Sequence, residues 1–220
     1  MINFDNIKNS ILVKKPFKYT IINNCFPTEF LNEVLENIPH ENYFRSIRNE
    51  GNDKTYNVIN NILVKLGENS YNKENNLSQN LINFLNIITS KDYISAISNL
   101  LENNLTECFM EVTLKKYTYQ DFISPHTDTE KVTATHMIFL NQTWEHSWGG
   151  ELCLMNNPND TFLNLPPLNT YSLAFVRSPA SWHSVNQILN KQAQRVVIQV
   201  AFWNTKQRIV MPGRIDDSIK

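Results

Sequence analysis

The 220-residue sequence has few cysteines and no excess of charge of either sign. Its three cysteines, Cys25, Cys108 and Cys153, are far apart and form no CxxC pair, which argues against a disulfide framework and a zinc knuckle. With 20 basic and 21 acidic residues the formal net charge is -1, so no field concentrates the chain on nucleic acid or an anionic membrane. We therefore expect buried free thiols, no nucleic-acid partner, and partners that are selected by a specific site.

The sequence also lacks an apolar run that approaches the ~20 residues of a membrane span, and its first residues lack the pattern of a secretory signal. From these absences we expect no membrane contact and a reducing, cytoplasmic setting. A chain of 220 residues, 41% of them hydrophobic, can bury one core and does not require a second domain. We predict a single domain over residues 1–220, and the sequence does not indicate an oligomeric state.

The hydrophobic pattern changes about halfway along the chain. In the first half, apolar residues recur at helical spacing in two stripes that begin after Pro27 and Ser90, and a weaker stripe covers Leu77 to Ile87. Pro27 suits the first turn of a helix, and Ser90 suits an N-cap. The segment from Tyr43 to Asn75 is rich in Asn, Lys, Glu and Gly, which is typical of a solvated loop and also fits a long flap. We therefore predict a helix-rich portion with a flap over residues 1–105.

In the second half the pattern shortens to strands separated by Pro, Gly and Asn. The predicted strands are Phe109–Tyr119, Val132–Leu140, Glu151–Met155, Tyr171–Val176 and Val196–Trp203. Several short strands in succession, without helices between them, are typical of a sandwich or barrel of the jelly-roll kind. We predict a mainly β fold with N-terminal helices, in which residues 106–206 form a jelly roll (double-stranded β-helix) and residues 207–220 form a tail.

His126 and Asp128 are the first candidates for a functional site. Residues two apart on a strand project from the same face, so a third ligand must come from elsewhere in the fold, and His183 is the best candidate. Two imidazoles and one carboxylate occupy one face of an octahedral iron(II) and leave three positions for a bidentate co-substrate and dioxygen. The His-x-Asp pair alone is weak evidence, so its meaning depends on the sequence around it.

That surrounding sequence resembles a known family. The stretch from Tyr117 to Asp128 is similar to the strand that enters the metal site in iron(II)/2-oxoglutarate-dependent dioxygenases. Further similar pieces follow in the family's order: Ile138–Asn141, Trp144, Gly149–Leu152, Pro167–Asn169, Phe175, His183, Arg195 and Phe202–Trp203. Residues 117–204 thus resemble this superfamily, and most of all its prolyl-4-hydroxylase-like branch.

The resemblance implies an oxygenase that uses iron(II), 2-oxoglutarate and dioxygen. Such an enzyme releases succinate and CO2 and hydroxylates an unactivated C–H bond of a small-molecule, amino-acid or peptide substrate. The resemblance implies that His126, Asp128 and His183 are the catalytic metal ligands, that Arg195 binds the C5 carboxylate of 2-oxoglutarate, and that the Tyr117 hydroxyl reaches the same co-substrate. The valines and isoleucine after Arg195 indicate a buried strand, and a buried arginine needs an anion. Hydroxylation is favoured over halogenation, because related halogenases lack the carboxylate that Asp128 provides.

Two residues depart from the family pattern. Gln120 stands where many relatives have glycine, so we expect that the turn before His126 requires no positive backbone angle. Val197 stands where many relatives have Ser or Thr, so the hydroxyl that supports the co-substrate carboxylate is either missing or supplied by another residue. We expect His136 either to face the barrel interior without binding metal or to pack as a neutral core histidine.

Two alternatives remain open. A cupin-type metalloenzyme would share the jelly roll but use no 2-oxoglutarate, and a non-catalytic binding module would keep the fold and lose turnover. Arg195 argues against the first alternative, and the complete set of metal ligands argues against the second. Consumption of 2-oxoglutarate separates the oxygenase from both.

Overall fold

The strands of the chain join into a single sheet that folds over on itself. The computed structural model describes residues 2–50, 54–68, 70–73, 76–206 and 214–218. Its strands are β1 Tyr19–Asn23, β2 Arg45–Glu50, β3 Thr55–Val64, β4 Phe109–Tyr117, β5 Phe122–His126, β6 Val132–Phe139, β7 Leu152–Asn157, β8 Asp160–Leu165, β9 Tyr171–Val176, β10 Trp182–Val185, β11 Arg195–Trp203 and β12 Arg214–Ser218. The helices are α1 Phe4–Lys8, α2 Thr28–Glu36, α3 Gln79–Ile88 and α4 Lys91–Leu100, with short 3-10 helices at Glu41–Tyr43 and His146–Trp148.

The order of the strands forms the predicted jelly roll. One half of the sheet has the order β1-β9-β6-β11-β4, the other has the order β5-β10-β7-β8, and β3 pairs with both β4 and β5. The paired strands run antiparallel. Because β3 joins the two halves at one edge, they face each other and enclose an interior. The fold is the double-stranded β-helix expected from the sequence.

The helices cover the outer face of the first half. Strand residues alternate between the two faces, so on β11 Val196 and Ile198 pack in the core beneath the helices, whereas Val197 belongs to the interior core. The predicted helices lie close to their expected places. Ser90 caps α4 through a hydrogen bond from the Tyr93 N–H, 3.2 Å away, and α2 begins directly after Pro27. None of the described helices is both long enough and apolar enough to span a membrane.

The prediction of a solvated loop from Tyr43 to Asn75 is wrong for much of that segment. β2 and β3 form an antiparallel hairpin, and β3 continues into the sheet beside β4. Backbone pairing with its neighbours outweighs the low strand propensity of asparagine, and Asn60 and Asn61 are buried there.

Two other parts of the predicted organisation change. Strand β1 lies within the portion predicted as helix-rich, and in the predicted tail β12 pairs with β2. Residues 51–53, 69, 74–75 and the rest of the tail lie outside the described residues.

Candidate metal centre

Two adjacent strands bring three potential metal ligands together. His126 ends β5 and His183 lies in β10, where the two are direct partners in the antiparallel register, with ring centroids 4.2 Å apart. Oδ1 of Asp128 lies 3.9 Å from Nε2 of each histidine. One ligand atom from each residue lies within 4.8 Å of the other two, which is close enough for one ion to bind all three. In the part of the chain that the structure describes, no other three His, Cys, Asp or Glu residues are arranged in this way.

Backbone carbonyls orient both imidazoles. Nδ1 of His126 donates a hydrogen bond to the carbonyl oxygen of Ser124 at 2.9 Å, and Nδ1 of His183 donates one to the carbonyl oxygen of Ser181 at 3.0 Å. Because a carbonyl only accepts, each Nδ1 carries the proton and each Nε2 keeps its lone pair. Metal-binding histidines are commonly oriented in this way.

The Asp128 carboxylate is held by neighbouring strands. Its Oδ2 accepts a hydrogen bond from Oγ1 of Thr135 at 3.0 Å, and its backbone carbonyl accepts one from Nε of Arg177 at 3.0 Å. The strand argument for a shared face with His126 does not apply, because β5 ends at His126. The loop after β5, held by these two contacts, places Asp128 beside the histidines instead.

Burial and neighbouring groups together determine the protonation of the triad. It lowers the pKa of His126 well below the usual imidazole value and, against the opposing effect of Asp128, also lowers the pKa of His183. Burial acts to raise the pKa of Asp128, but interactions with His183 and Lys54 and the hydrogen bond from Thr135 outweigh it, so the pKa lies below its usual value. The triad therefore offers two neutral imidazoles and one carboxylate. This donor set fits iron(II).

Arg195 begins β11 and is fully buried beside Tyr117, its register partner on β4. Its guanidinium carbon lies 4.7 Å from the centre of the Tyr117 ring and 5.7 Å from that of Phe139. None of its three guanidinium nitrogens makes a hydrogen bond of good geometry to a described residue. Burial lowers the pKa of Arg195, while Tyr117 and Tyr171 oppose that shift. A buried cation without an anion is costly, so this site fits a carboxylate that the described residues do not supply.

A cavity of about 160 Å³ lies beside the triad, between the two halves of the sheet. The β2–β3 hairpin contributes Ile47, Tyr56 and Val58 to its wall. Tyr117 lines the cavity and Arg195 does not, so the Tyr117 ring stands between the cavity and the guanidinium. Apolar walls with a few convergent polar groups are usual in small-molecule sites, and a protein cavity of about 150 Å³ accommodates benzene. The cavity is therefore large enough to admit a small molecule beside the triad.

His136 is the neutral core histidine of the two options that the sequence left open. It is fully buried, with Nδ1 2.7 Å from the Tyr93 hydroxyl and Nε2 2.8 Å from Oγ of Ser172. Burial lowers the pKa of His136 to about 3. Because Tyr93 belongs to α4, the imidazole faces the helices and takes no part in the metal centre.

The expectation for Gln120 is wrong. Its φ is +71°, so the turn before His126 keeps the left-handed conformation that glycine favours. The Gln120 N–H donates to the Ile188 carbonyl at 2.9 Å, and the Gln120 carbonyl accepts from Nε2 of Gln187 at 3.3 Å. These contacts hold the backbone in place despite the side chain.

Comparison with known protein families identifies the same part of the chain. Residues 112–203 match the model of the 2OG-Fe(II) oxygenase superfamily. This span runs from β4 to β11 and includes the triad and Arg195. The family uses iron(II), 2-oxoglutarate and dioxygen. No curated protein matches the chain at a significant level.

Solved structures of prolyl hydroxylases share the fold. A prolyl-4-hydroxylase from Pseudomonas putida aligns with a TM-score of 0.56 and 13% identity, over 85% of this chain and 92% of that one. A structure of prolyl 4-hydroxylases from Phytophthora capsici gives 0.60 and 16%, over 94% and 67%. A prolyl hydroxylase from Trichoplax adhaerens, in complex with a hypoxia inducible factor peptide fragment, gives 0.52 and 17%, over 84% and 83%. Identities this low establish the fold alone. Residues 112–203 thus match the 2OG-Fe(II) oxygenase superfamily, and the chain has a fold like that of prolyl 4-hydroxylases.

Proposed function

We propose that this protein is an iron(II)- and 2-oxoglutarate-dependent oxygenase that hydroxylates an unactivated C–H bond of a small-molecule, amino-acid or peptide substrate and releases succinate and CO2. The observation that carries the proposal is the combination of the triad with Arg195, a buried cation that lacks an anion. The triad alone fits several metals and reactions. The added cation fits a co-substrate that has a metal-chelating end and a free carboxylate at the other end, as 2-oxoglutarate has.

In this proposal His126, Asp128 and His183 would hold the iron and would leave further coordination positions for the co-substrate and dioxygen. The metal and the co-substrate supply the oxidising chemistry when bound. The chain contributes fixed geometry, because each ligand is held by a hydrogen bond to the backbone or to a neighbouring strand. Enclosure between the two halves of the sheet limits access of water to the reacting groups.

The proposed role of Arg195 is to bind the C5 carboxylate of 2-oxoglutarate. A guanidinium makes two parallel charge-assisted hydrogen bonds to a carboxylate, and among the described residues no carboxylate competes for its nitrogens, which have only the Tyr117 hydroxyl as a weak partner. Tyr117 would border the path of that carboxylate, because it lies between the cavity and Arg195. Burial raises the pKa of Tyr117 to about 12 against the opposing effect of Arg195, so the phenol stays protonated and can donate a hydrogen bond.

The competing accounts are a cupin-type metalloenzyme without 2-oxoglutarate and a binding module without turnover. Neither gives a reason for a fully buried arginine without an anion. Peptides stay among the proposed substrates because one structural relative is a prolyl hydroxylase in complex with a peptide fragment.

The experiment that tests the proposal is the conversion of 2-oxoglutarate to succinate by the purified protein with iron(II) and dioxygen. Wild type is expected to form succinate slowly on its own and faster with a true substrate, whereas Asp128→Ala forms none. Glu130→Ala removes an exposed carboxylate two residues away and serves as the matched control. Equal succinate formation by wild type and Asp128→Ala, or none by either, contradicts the proposal.

A further inference from the structure

Lys115 is a cation of the interior that neither the triad nor the Arg195 site uses. On β4, Glu111, Thr113, Lys115 and Tyr117 line the cavity, while the residues between them face the other way. Lys115 is paired with Asn60 of β3 and Val197 of β11, so it stands on the middle of the cavity wall. Its position is about 7 Å along the strand from that of Tyr117.

The Lys115 ammonium makes no hydrogen bond or ion pair with a described residue. Burial, together with repulsion by Lys54, lowers the pKa of Lys115 to about 8, while Asp128 and Glu111 oppose the shift. Most molecules therefore carry the charge at pH 7. The Lys115 ammonium therefore presents a positive charge to the cavity beside the triad, where an anionic group of a bound molecule can pair with it.

Of the described residues, four with charged side chains line the cavity, namely Lys54, Glu111, Lys115 and Asp128. Asp128 belongs to the triad, and Lys54 and Glu111 have interactions of their own. Lys115 is therefore the charged side chain among them that has no role in the site described above.

Both ends of 2-oxoglutarate already have partners in the proposed function, one at the metal and one at Arg195. Building on that function, we propose that Lys115 binds a carboxylate of the substrate. The substrates would then be compounds that carry a carboxylate. The carboxylate belongs either to a free amino acid or to an acidic side chain of a peptide.

The test uses protein loaded with iron(II) and 2-oxoglutarate in the absence of oxygen. Its readout is the change in the visible charge-transfer band of that complex when a probe binds beside the metal. The first probes are free L-amino acids and their α-amides, in which a neutral carboxamide replaces the α-carboxylate. The second are the N-acetyl α-amides of aspartate, glutamate, asparagine and glutamine. At least one carboxylate probe is expected to bind wild type about thirtyfold more tightly, or more, than its amide partner, as for a buried charge pair that loses one member.

The two carboxylate sources give different patterns. Preference for a free amino acid over its α-amide identifies an α-carboxylate, whereas preference for N-acetyl aspartate or glutamate amide over the matching asparagine or glutamine compound identifies an acidic side chain. In Lys115→Met this preference should disappear, and Lys115→Arg should keep part of it. Lys131→Met removes the same charge from an exposed position between β5 and β6 and should keep the full preference.

Three results overturn the proposal. One is that no carboxylate probe binds more tightly than its amide, and another is that Lys115→Met keeps the preference. The third is that Lys115→Met weakens 2-oxoglutarate itself by more than about tenfold, which would assign Lys115 to the co-substrate. Absence of the band in wild type is a separate result, because it contradicts the proposed function on which this inference rests.

Discussion

His126 and His183 are oriented by the same local hydrogen bond on adjacent, paired strands: each Nδ1 donates to the carbonyl oxygen of the residue two positions earlier, Ser124 or Ser181. The backbone of β5, and the backbone that leads into β10, therefore aim both Nε2 atoms at one point. Asp128 lacks such a contact for its carboxylate, which depends on the side chain of Thr135. The aspartate is thus the ligand whose orientation a single substitution can change.

We predict that Thr135→Val weakens metal binding about 10- to 100-fold, because outer contacts of this kind orient the ligand and tune the metal. Asp128→Ala should reduce metal binding further, since it removes the only anionic ligand of the triad, and should abolish 2-oxoglutarate turnover. Competition with a chromophoric chelator measures the affinity. Thr133→Val changes the same residue type on the same strand without touching Asp128 and is the control. Equal losses in the two threonine variants would mean that the hydrogen bond to Asp128 has no effect on metal binding.

A second prediction concerns His136, which joins α4 to β6 and β9. His136→Leu leaves the Tyr93 hydroxyl and Oγ of Ser172 without their buried partner, which should lower the free energy of unfolding by about 2–4 kcal/mol at pH 7. Urea denaturation of the metal-free protein measures it. An unchanged free energy of unfolding would mean that these hydrogen bonds add nothing to stability.

The same residue gives stability a dependence on pH. The pKa of His136 is about 3 in the folded protein and close to 6.5 when unfolded, so between these values only the unfolded chain binds the proton. The free energy of unfolding should therefore fall as pH drops below about 6.5, by up to ~1.4 kcal/mol per pH unit for this group. His126 and His183 act in the same direction. His136→Leu should reduce the slope between pH 5 and 6.5 by as much as one proton, and an unchanged slope would contradict the assignment.

A third prediction concerns Gln120, whose positive φ is unfavourable for any residue with a Cβ atom. Gln120→Gly should raise the free energy of unfolding by about 0.5–1 kcal/mol, because the strain relieved exceeds the added flexibility of the unfolded chain. Gln120→Val should lower it, since a β-branched residue tolerates this conformation least. Denaturation midpoints compare the three proteins. A less stable glycine variant would show that the added flexibility of the unfolded chain outweighs the strain relieved at this position.

Local signals in the sequence predicted the parts of the fold that depend on short-range physics. Ser90 caps α4 because its side chain reaches an N–H only three residues ahead, and the limits of Tyr171–Val176 match because β9 is buried and apolar. The candidate metal ligands could be identified from the sequence for another reason, because their spacing resembles that of a known family.

Signals of this kind were absent where distant contacts decide the structure. β3 is rich in asparagine and becomes a strand through pairing with neighbours on both sides. Thr135 looked like an ordinary strand threonine, and only the folded chain brings it to Asp128. Similarly, the sequence placed Arg195 in a buried strand, but the absence of a partner for its guanidinium depends on the residues that surround it in three dimensions.

We propose that Arg195 and the triad bind opposite ends of 2-oxoglutarate, and an anaerobic titration of 2-oxoglutarate into iron-loaded protein tests this arrangement most directly. Wild type should form the visible charge-transfer band. Arg195→Met should bind iron as wild type does but require about a hundred- to several-thousandfold more co-substrate, since a buried carboxylate without its partner costs about 3–5 kcal/mol. Arg195→Lys, which keeps the charge without the fork, should lie between them. An unchanged titration in Arg195→Met, or no band in iron-loaded wild type, would contradict the account.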